Sequence, residues 1–204
     1  MRGKIIAVIG PTRTGKSYLT QKLATHYQTR AFLEGEDADF PPAVIEDLQK
    51  NIRPLERFLY FRNISVANHL VALRVAEHER VVFLDTYWFN NVPYISMYNT
   101  NELERVLLTQ LTDTDAKALP WPDLTLCLSA DAAASARLSE ASGRAFETAD
   151  GYLEKQVAAM KKAFDDYFAS HEAPESFIMI DRSHLDFDNP ADFKTITDRI
   201  DKIV

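Results

Sequence analysis

Residues 10–17 read GPTRTGKS and stand between a short apolar run, KIIAVI, and a segment with Leu19 and Leu23 at helical spacing. The eight residues fit the pattern G-x-x-x-x-G-K-[S/T] at every specified position. Two glycines allow a tight loop whose backbone N–H groups face inward, and the helix that follows adds partial positive charge at its N-terminus. A strand, this loop and a helix in succession predict an α/β fold that holds phosphate groups.

Each residue type in the loop has a predicted task. The Lys16 ammonium would reach the β- and γ-phosphates of ATP or GTP, and the Ser17 hydroxyl would ligate Mg²⁺. We therefore expect ATP and Mg²⁺ as cofactors, while the choice between ATP and GTP stays open. The predicted nucleotide-binding residues are Gly10, Thr12, Arg13, Thr14, Gly15, Lys16, Ser17 and Tyr18.

Five short apolar segments are predicted strands, and segments of helical periodicity separate them. The strands cover residues 4–9, 30–34, 80–85, 123–129 and 176–181. Pro42 predicts the start of one helix, and Asn189 followed by Pro190 predicts the N-cap and first position of the last helix. We expect one domain over residues 1–204, a three-layer α/β/α sandwich around a five-stranded parallel sheet.

Composition narrows the classes of partner. Thirty acidic and 23 basic residues give a net charge of −7, which argues against nucleic acid as a partner because phosphate neutralisation needs a basic face. No apolar run approaches the length of a membrane span, and no signal peptide is visible. The single cysteine, Cys127, excludes an internal disulfide and favours a cytoplasmic location. A homodimer is left open.

Two arginines suggest a mobile lid. Arg137 and Arg144 stand seven residues apart, about two helical turns, with Gly143 as a hinge between them. Guanidinium groups stabilise the charge on a transferring phosphoryl group, and a lid over residues 136–150 would exclude water. The alternative is a solvated helix with ordinary Arg–Glu pairs. A lid favours a kinase over a GTPase, and the guanine-binding N-K-x-D pattern does not occur.

Two carboxylates follow predicted strands. The carboxyl edge of an open parallel sheet is where ligands bind, so Glu34 is a candidate general base for an acceptor hydroxyl. Glu36 and Asp37 are the alternatives for this role. Asp85 ends a strand of apolar residues, where a carboxylate needs a partner, and Mg²⁺ is the obvious one.

The order of motifs resembles that of the deoxynucleoside kinase family, relatives of the thymidylate kinases. The resemblance covers residues 4–181 and rests on the loop together with FLEGE, ERFLYFRN, VVFLDTYWFNN, RLSEASGRAFE and GYLEK. It implies the P-loop NTPase fold with an arginine-bearing helical lid. It also implies transfer of the γ-phosphate of ATP to the hydroxyl of a small-molecule acceptor, a deoxynucleoside in the first place.

The acceptor half departs from that family. Asn63 stands where the family carries a base-reading glutamine, and Thr86 stands where it carries an arginine after the strand-ending acid. Aromatic residues near these positions would stack on a base, although core packing is the commoner role. The predicted substrate-binding residues are Glu34, Phe61, Arg62, Asn63, Thr86, Tyr87 and Trp88.

Three alternatives remain for the function. The Asp85-Thr86 pair is similar to the strand end of nicotinamide riboside kinase domains, in which a threonine is expected. A nucleoside monophosphate, as in thymidylate kinases, is another acceptor. The third alternative is a nucleotide-binding regulatory protein or NTPase without kinase activity. The base, the sugar and the phosphorylation state of the acceptor stay open.

Overall fold

A computed structural model describes residues 2–35, 39–97, 101–142 and 152–204 of the chain. The strands are β1 Lys4–Ile9, β2 Ala31–Phe32, β3 Val81–Asp85, β4 Leu124–Ser129 and β5 Phe177–Asp181. The helices are α1 Lys16–His26, α2 Pro42–Lys50, α3 Pro54–Val75, α4 Glu102–Ala118, α5 Ala132–Ser142, α6 Tyr152–Ser170 and α7 Pro190–Ile200. A 3-10 segment, Trp88–Ser96, follows β3.

The strands form one parallel sheet in the order β2-β3-β1-β4-β5. The α/β class and the five predicted strands are therefore confirmed. The second strand is shorter than the predicted 30–34, since only Ala31 and Phe32 pair with β3. β2 lies at the edge of the sheet that the described residues form, where β3 is its one neighbour, so fewer ladder bonds extend it.

Helices cover both faces of the sheet, which makes the predicted three layers. Ile5, Ala7 and Ile9 of β1 belong to a core cluster with residues of α3, α6 and the 3-10 segment. Ile6 and Val8 belong to a second cluster with residues of α1 and α7. Successive side chains of a strand point to opposite faces, so the continuous apolar run of β1 serves both cores.

Local signals set several helix ends. The Asn189 side chain accepts a hydrogen bond from the Ala191 amide at 2.9 Å, as an N-cap does, and Pro190 opens α7. Pro42 and Pro54 begin α2 and α3, where the missing amide hydrogen costs nothing. None of the described helices combines the length and apolar character needed to cross a membrane.

A buried histidine lies on α3. The His69 ring stands edge-on to Tyr87 with 5.9 Å between centroids, and its side chain is fully buried. Neither ring nitrogen has a hydrogen-bond partner among the residues that the structure describes. Burial, with a smaller effect of the Arg2 charge, lowers the pKa of His69 from 6.5 to about 4. The folded chain therefore holds a neutral imidazole at this position.

We expect His69→Leu to flatten the acid limb of the stability curve. Below pH 6.5 the unfolded chain binds a proton that the folded chain refuses until pH falls to about 4, so protonation favours unfolding throughout this window. The shift corresponds to a loss of up to about 3 kcal/mol in the wild type. Urea unfolding at pH 7.5 and 4.5 measures it. His78→Leu, at an exposed position, is the control, and equal pH slopes in the two variants would contradict the assignment.

Candidate functional site

Glycines give the phosphate-binding loop its course. Gly10 has φ 145° and Gly15 has φ 81°, values that favour glycine. A Cβ on Gly10 would lie 2.4 Å from the Leu128 carbonyl oxygen, and one on Gly15 would collide with the Arg182 guanidinium. The two specified glycines of the motif are thus required both by backbone conformation and by close packing.

The loop leaves the start of α1 suited to an anion. Gly15 is the N-cap of α1, and no side-chain cap bond is made there, so the N–H groups of the first turn and the helix dipole are available to phosphate. Thr14 Oγ1 and Lys16 Nζ donate to the Pro11 carbonyl at 2.9 and 3.0 Å. The Lys16 ammonium is therefore held over the loop.

Ser17 and Asp85 meet at the mouth of this loop. The Ser17 hydroxyl donates to Asp85 Oδ2 at 2.5 Å, and Asp85 is only 2% exposed. A hydroxyl and a carboxylate are the hard oxygen ligands that Mg²⁺ accepts. The described residues contain no cluster of three His, Cys, Asp or Glu side chains that could hold a metal. The pair suits an ion that takes its remaining ligands from phosphates and water, as Mg²⁺ does.

Arg182, directly after β5, packs against the loop from the other side. It donates to the Thr14 carbonyl at 2.9 Å, and its guanidinium lies 4.0 Å from the centre of the Phe187 ring. The residue is 7% exposed, and burial lowers its pKa. Arg182 thus adds a buried positive charge next to Gly15, which the motif pattern did not predict.

Glu34 and Thr86 come together at the carboxyl edge of the sheet. The Thr86 hydroxyl donates to Glu34 Oε1 at 3.5 Å and lies 3.3 Å from the Ser65 hydroxyl of α3. Asn68 of α3 donates to the Leu33 carbonyl at 2.8 Å and fixes the chain just before Glu34. These contacts bring the Glu34 carboxylate and the hydroxyls of Thr86 and Ser65 together. The Asp85 carboxylate belongs to the same region, because Asp85 directly precedes Thr86.

Thr86 has a strained backbone. Its φ is 67°, a value that is unusual for a β-branched residue and that costs on the order of 1–3 kcal/mol. The residue is fully buried, and its amide donates to the Val8 carbonyl at 3.0 Å. Strain held in place by such contacts is typical of functional sites. A much longer side chain would have no free space here.

Aromatic rings surround the chain near Glu34. Phe61 of α3 contacts Phe40 with 5.5 Å between ring centroids, and Tyr60 contacts both. Burial, followed by the negative charges of Asp39 and Glu34, raises the pKa of Tyr60. The predicted contribution of Phe61 to an acceptor pocket is compatible with this position.

Arg62 and Asn63, which are predicted substrate-binding residues, have protein partners in the structure. Arg62 forms an ion pair with Asp115 of α4, donating from Nε at 2.8 Å and also from Nη2. Asn63 is exposed, and its side chain accepts from Arg62 at 3.0 Å. Arg62 therefore joins α3 to α4, and Asn63 faces solvent. The guanidinium pairs with the buried Asp115 carboxylate, and the predicted contacts of Arg62 and Asn63 with substrate stay predictions.

Tyr87 and Trp88 are core residues rather than open pocket walls. Tyr87 is fully buried, and its hydroxyl lies 3.4 Å from the Thr125 hydroxyl of β4. Trp88 is buried as well and packs edge-on to Trp121 at 5.0 Å. These rings belong to the core cluster between the sheet and its covering helices, and their predicted stacking on a base stays a prediction.

The remaining predicted residues have mixed outcomes. Tyr18 is exposed on α1 and donates to Asp188, and its predicted contact with nucleotide stays a prediction. Arg137 of α5 donates to the Ser183 carbonyl at 3.2 Å, close in sequence to Arg182. Arg144 and the Gly143 hinge lie outside the described residues, as do the alternative bases Glu36 and Asp37.

Two residues without a predicted role contact the site. Ser65 contacts Thr86, and the Asn90 side chain accepts a hydrogen bond from the Gly10 amide at 3.1 Å. Ser65 lies seven residues after the buried Phe58, on the same face of α3, a spacing that could have indicated it. Nothing in the sequence around Asn90 indicates its contact, because the two residues are 80 positions apart.

Known proteins were compared with the chain by sequence and by structure. No family model matches it. The deoxyadenosine kinase of Lactobacillus acidophilus is 25% identical over 190 residues, which cover 90% of this chain and 88% of that protein. A structure of M. mycoides deoxyadenosine kinase with the products dCMP and dCDP has a TM-score of 0.75 at 15% identity and covers 98% of this chain and 100% of that one.

A thymidylate kinase shows the same architecture. The structure of the Candida albicans enzyme has a TM-score of 0.64 at 20% identity and covers 98% of this chain and 93% of that one. The M. mycoides enzyme with bound dCTP has a TM-score of 0.73 at 15% identity, with 98% and 100% coverage. The chain thus has the P-loop fold of these kinases over nearly its whole length, and the resemblance to the deoxynucleoside kinase family indicated by its motifs is confirmed.

Proposed function

We propose that the chain is an ATP- and Mg²⁺-dependent kinase that phosphorylates the hydroxyl of a nucleoside. The observation that carries the proposal is the meeting of three elements at one sheet edge. The Ser17 hydroxyl and the Asp85 carboxylate lie 2.5 Å apart beside the phosphate loop, and Thr86 joins Asp85 to Glu34. A donor site and a carboxylate suited to an acceptor hydroxyl therefore adjoin each other.

Each residue has a defined part in this proposal. The backbone of residues 10–17 and the Lys16 ammonium hold the phosphates of ATP, while Ser17 and Asp85 hold Mg²⁺, which neutralises charge on the phosphates. Glu34 accepts the proton of the acceptor hydroxyl. Catalysis of this kind depends on positioning and on charge stabilisation, with little covalent chemistry for the protein.

The acceptor that we propose is a deoxynucleoside. Support comes from the deoxyadenosine kinase of L. acidophilus and from the M. mycoides enzyme of the same name, whose structures contain dATP, dCTP or dCMP. Nicotinamide riboside is the second candidate acceptor. Thr86, a buried threonine after Asp85, favours it, because the sequence resemblance implies a threonine at this position in nicotinamide riboside kinases. The identity of the acceptor therefore requires a direct test.

We further propose that Arg137 and Arg144 form the lid arginines. Arg137 contacts the carbonyl of Ser183, the residue after Arg182, and Arg182 in turn contacts the Thr14 carbonyl of the loop. Guanidinium groups suit this task because they stabilise charge spread over several oxygens. A cytoplasmic location is proposed as well, supported by the buried, free Cys127.

We also propose that the chain forms a homodimer. Leu103, Val106 and Leu107 of α4 are exposed, Leu103 at 82%, and their spacing places them on one helix face. Leu70 and Val71 are exposed on α3, which the Arg62–Asp115 ion pair joins to α4. Apolar side chains exposed together on two neighbouring helices favour an interface, here with a second copy of the chain.

We expect ADP formation only when a nucleoside is present. A coupled assay with deoxyadenosine, deoxycytidine, thymidine, thymidylate and nicotinamide riboside should identify the acceptor. Lys16→Ala should lower turnover by several orders of magnitude, since it removes charge from the β- and γ-phosphates, and should leave the melting temperature nearly unchanged. Lys194→Ala, an exposed lysine of α7, is the matched control and should retain full activity.

Two results would overturn the function. ADP formation that proceeds at the same rate without any acceptor would indicate an NTPase. Full turnover in Lys16→Ala would remove the loop from the reaction.

Glu34→Gln should lower kcat by about 10²–10⁴-fold, because the amide keeps the shape of the side chain but cannot accept the proton. The KM for ATP should change little, since this proposal assigns the phosphates to residues 10–17 and assigns the acceptor hydroxyl to Glu34, which contacts Thr86. Steady-state kinetics with the preferred acceptor measures both constants. Glu46→Gln, an exposed acid of α2, is the control. An unchanged kcat in Glu34→Gln would assign the base role to Glu36 or Asp37.

Leu107→Glu should convert the proposed dimer to a monomer, because a buried, unpaired charge is costly at an apolar interface. Sedimentation analysis should give a wild-type mass twice that of the 23.2 kDa chain and a variant mass equal to it. Thr195→Glu, at an exposed position of α7 on the opposite layer, should stay dimeric. A monomeric wild type at micromolar concentration would refute the interface.

A further inference from the structure

The first residue of the phosphate loop is held by the segment that follows β3. The Gly10 amide donates to Asn90 Oδ1 at 3.1 Å, and the Tyr94 hydroxyl donates to the Gly10 carbonyl at 3.5 Å. Both side chains belong to the 3-10 segment Trp88–Ser96 and are nearly buried, Asn90 at 5% exposure. The backbone of one loop residue thus has both polar groups satisfied by side chains 80 and 84 positions away.

Gly10 needs such partners. It follows the last residue of β1, and its φ of 145° turns the chain out of the strand, so its amide leaves the sheet ladder. The Leu128 carbonyl blocks one side of Gly10 closely enough to exclude a Cβ. A buried amide without an acceptor destabilises the conformation that buries it. Asn90 therefore stabilises the particular backbone turn from which the loop starts.

The 3-10 segment also adjoins the acceptor side of the site. It begins three residues after Asp85, and Thr86 lies between them. Tyr94 packs on Phe164 of α6 with 5.3 Å between ring centroids. The segment is consequently joined to the loop, to the strand end that bears Asp85, and to α6, whose start follows the proposed lid.

We propose that Asn90 is a positioning residue for nucleotide binding: its side-chain oxygen orients Gly10 and thereby the loop that holds the phosphates of ATP. The proposal rests on the proposed kinase function but not on the identity of the acceptor. In this proposal Asn90 does not contact the substrate itself, because it acts by accepting the hydrogen bond of the Gly10 amide. Loss of the bond leaves the Lys16 and Ser17 side chains chemically unchanged. It lets the loop backbone sample conformations that bind phosphate weakly.

Asn91 provides a matched control within the same segment. It is buried to the same extent as Asn90, but its Nδ2 has no hydrogen-bond acceptor among the described residues. The substitution Asn→Leu therefore changes volume and polarity similarly at both positions, while only Asn90→Leu removes a bond to the loop.

Binding of Mg²⁺ and a non-hydrolysable ATP analogue, measured by calorimetry well below the melting temperature, tests the proposal. Asn90→Leu should raise the Kd about tenfold or more, whereas Asn91→Leu should stay within about threefold of wild type, a tenfold change being about 1.4 kcal/mol. Hydrogen exchange of the Gly10 amide, followed by NMR, is a second readout that does not depend on turnover. It should accelerate in Asn90→Leu alone.

Different outcomes separate the two proposals. A wild-type protein that fails to bind the analogue contradicts the kinase function, whatever the variants do. Equal affinities and equal Gly10 exchange in Asn90→Leu and Asn91→Leu overturn the role of Asn90 and leave the kinase function intact. If Asn90→Leu does not fold, Asn90→Ser and Asn91→Ser allow the same comparison, because the serine hydroxyl is too short to replace the amide oxygen.

Discussion

The pairing of β1 with β3 is the constraint on which the site depends. Val8 is opposite Asp85 in the parallel register, and the Val8 carbonyl accepts a hydrogen bond from the Thr86 amide. The loop starts two residues after Val8, so this register brings the Ser17 hydroxyl within 2.5 Å of the Asp85 carboxylate. A slip of one residue would turn Asp85 toward the other face of the sheet and would separate the proposed Mg²⁺ ligands.

The strain at Thr86 follows from the same pairing. β3 has to end at Asp85 so that its carboxylate points at the loop, and the chain must then turn at once to cover the sheet. Thr86 makes the turn at φ 67°, and contacts with Val8, Ser65 and Glu34 hold it there. The turn sends the next residues into the 3-10 segment, which returns to the loop through Asn90. The strained turn at Thr86 thus connects Glu34, the proposed Mg²⁺ ligand Asp85 and the phosphate loop.

Short-range patterns determined which parts of this arrangement could be predicted. The strand and helix that flank the loop motif, the presence of five strands and the Asn189 cap are signals within a few residues, and the structure contains each of them. The roles of Arg62 and Asn63 required knowledge of which side of α3 faces the sheet. Exposed apolar residues such as Leu70 and Val71 blur the helical period, so the sequence did not identify that face. The burial of Tyr87 in the core could not be predicted for a related reason, because aromatic residues suit both a core and a base-binding pocket.

The charge of the chain explains why the loop needs so many local contacts. The proposed nucleotide is a polyanion, whereas the protein carries a net charge of −7, so the net charge supplies no long-range attraction between the two. At physiological ionic strength charges more than about 8 Å apart are largely screened, so binding depends on groups at the loop itself. These are the start of α1, the Lys16 ammonium and the buried guanidinium of Arg182. Their interaction with phosphate falls off with distance, so in the proposed function the placement of the loop backbone matters as well as the charges.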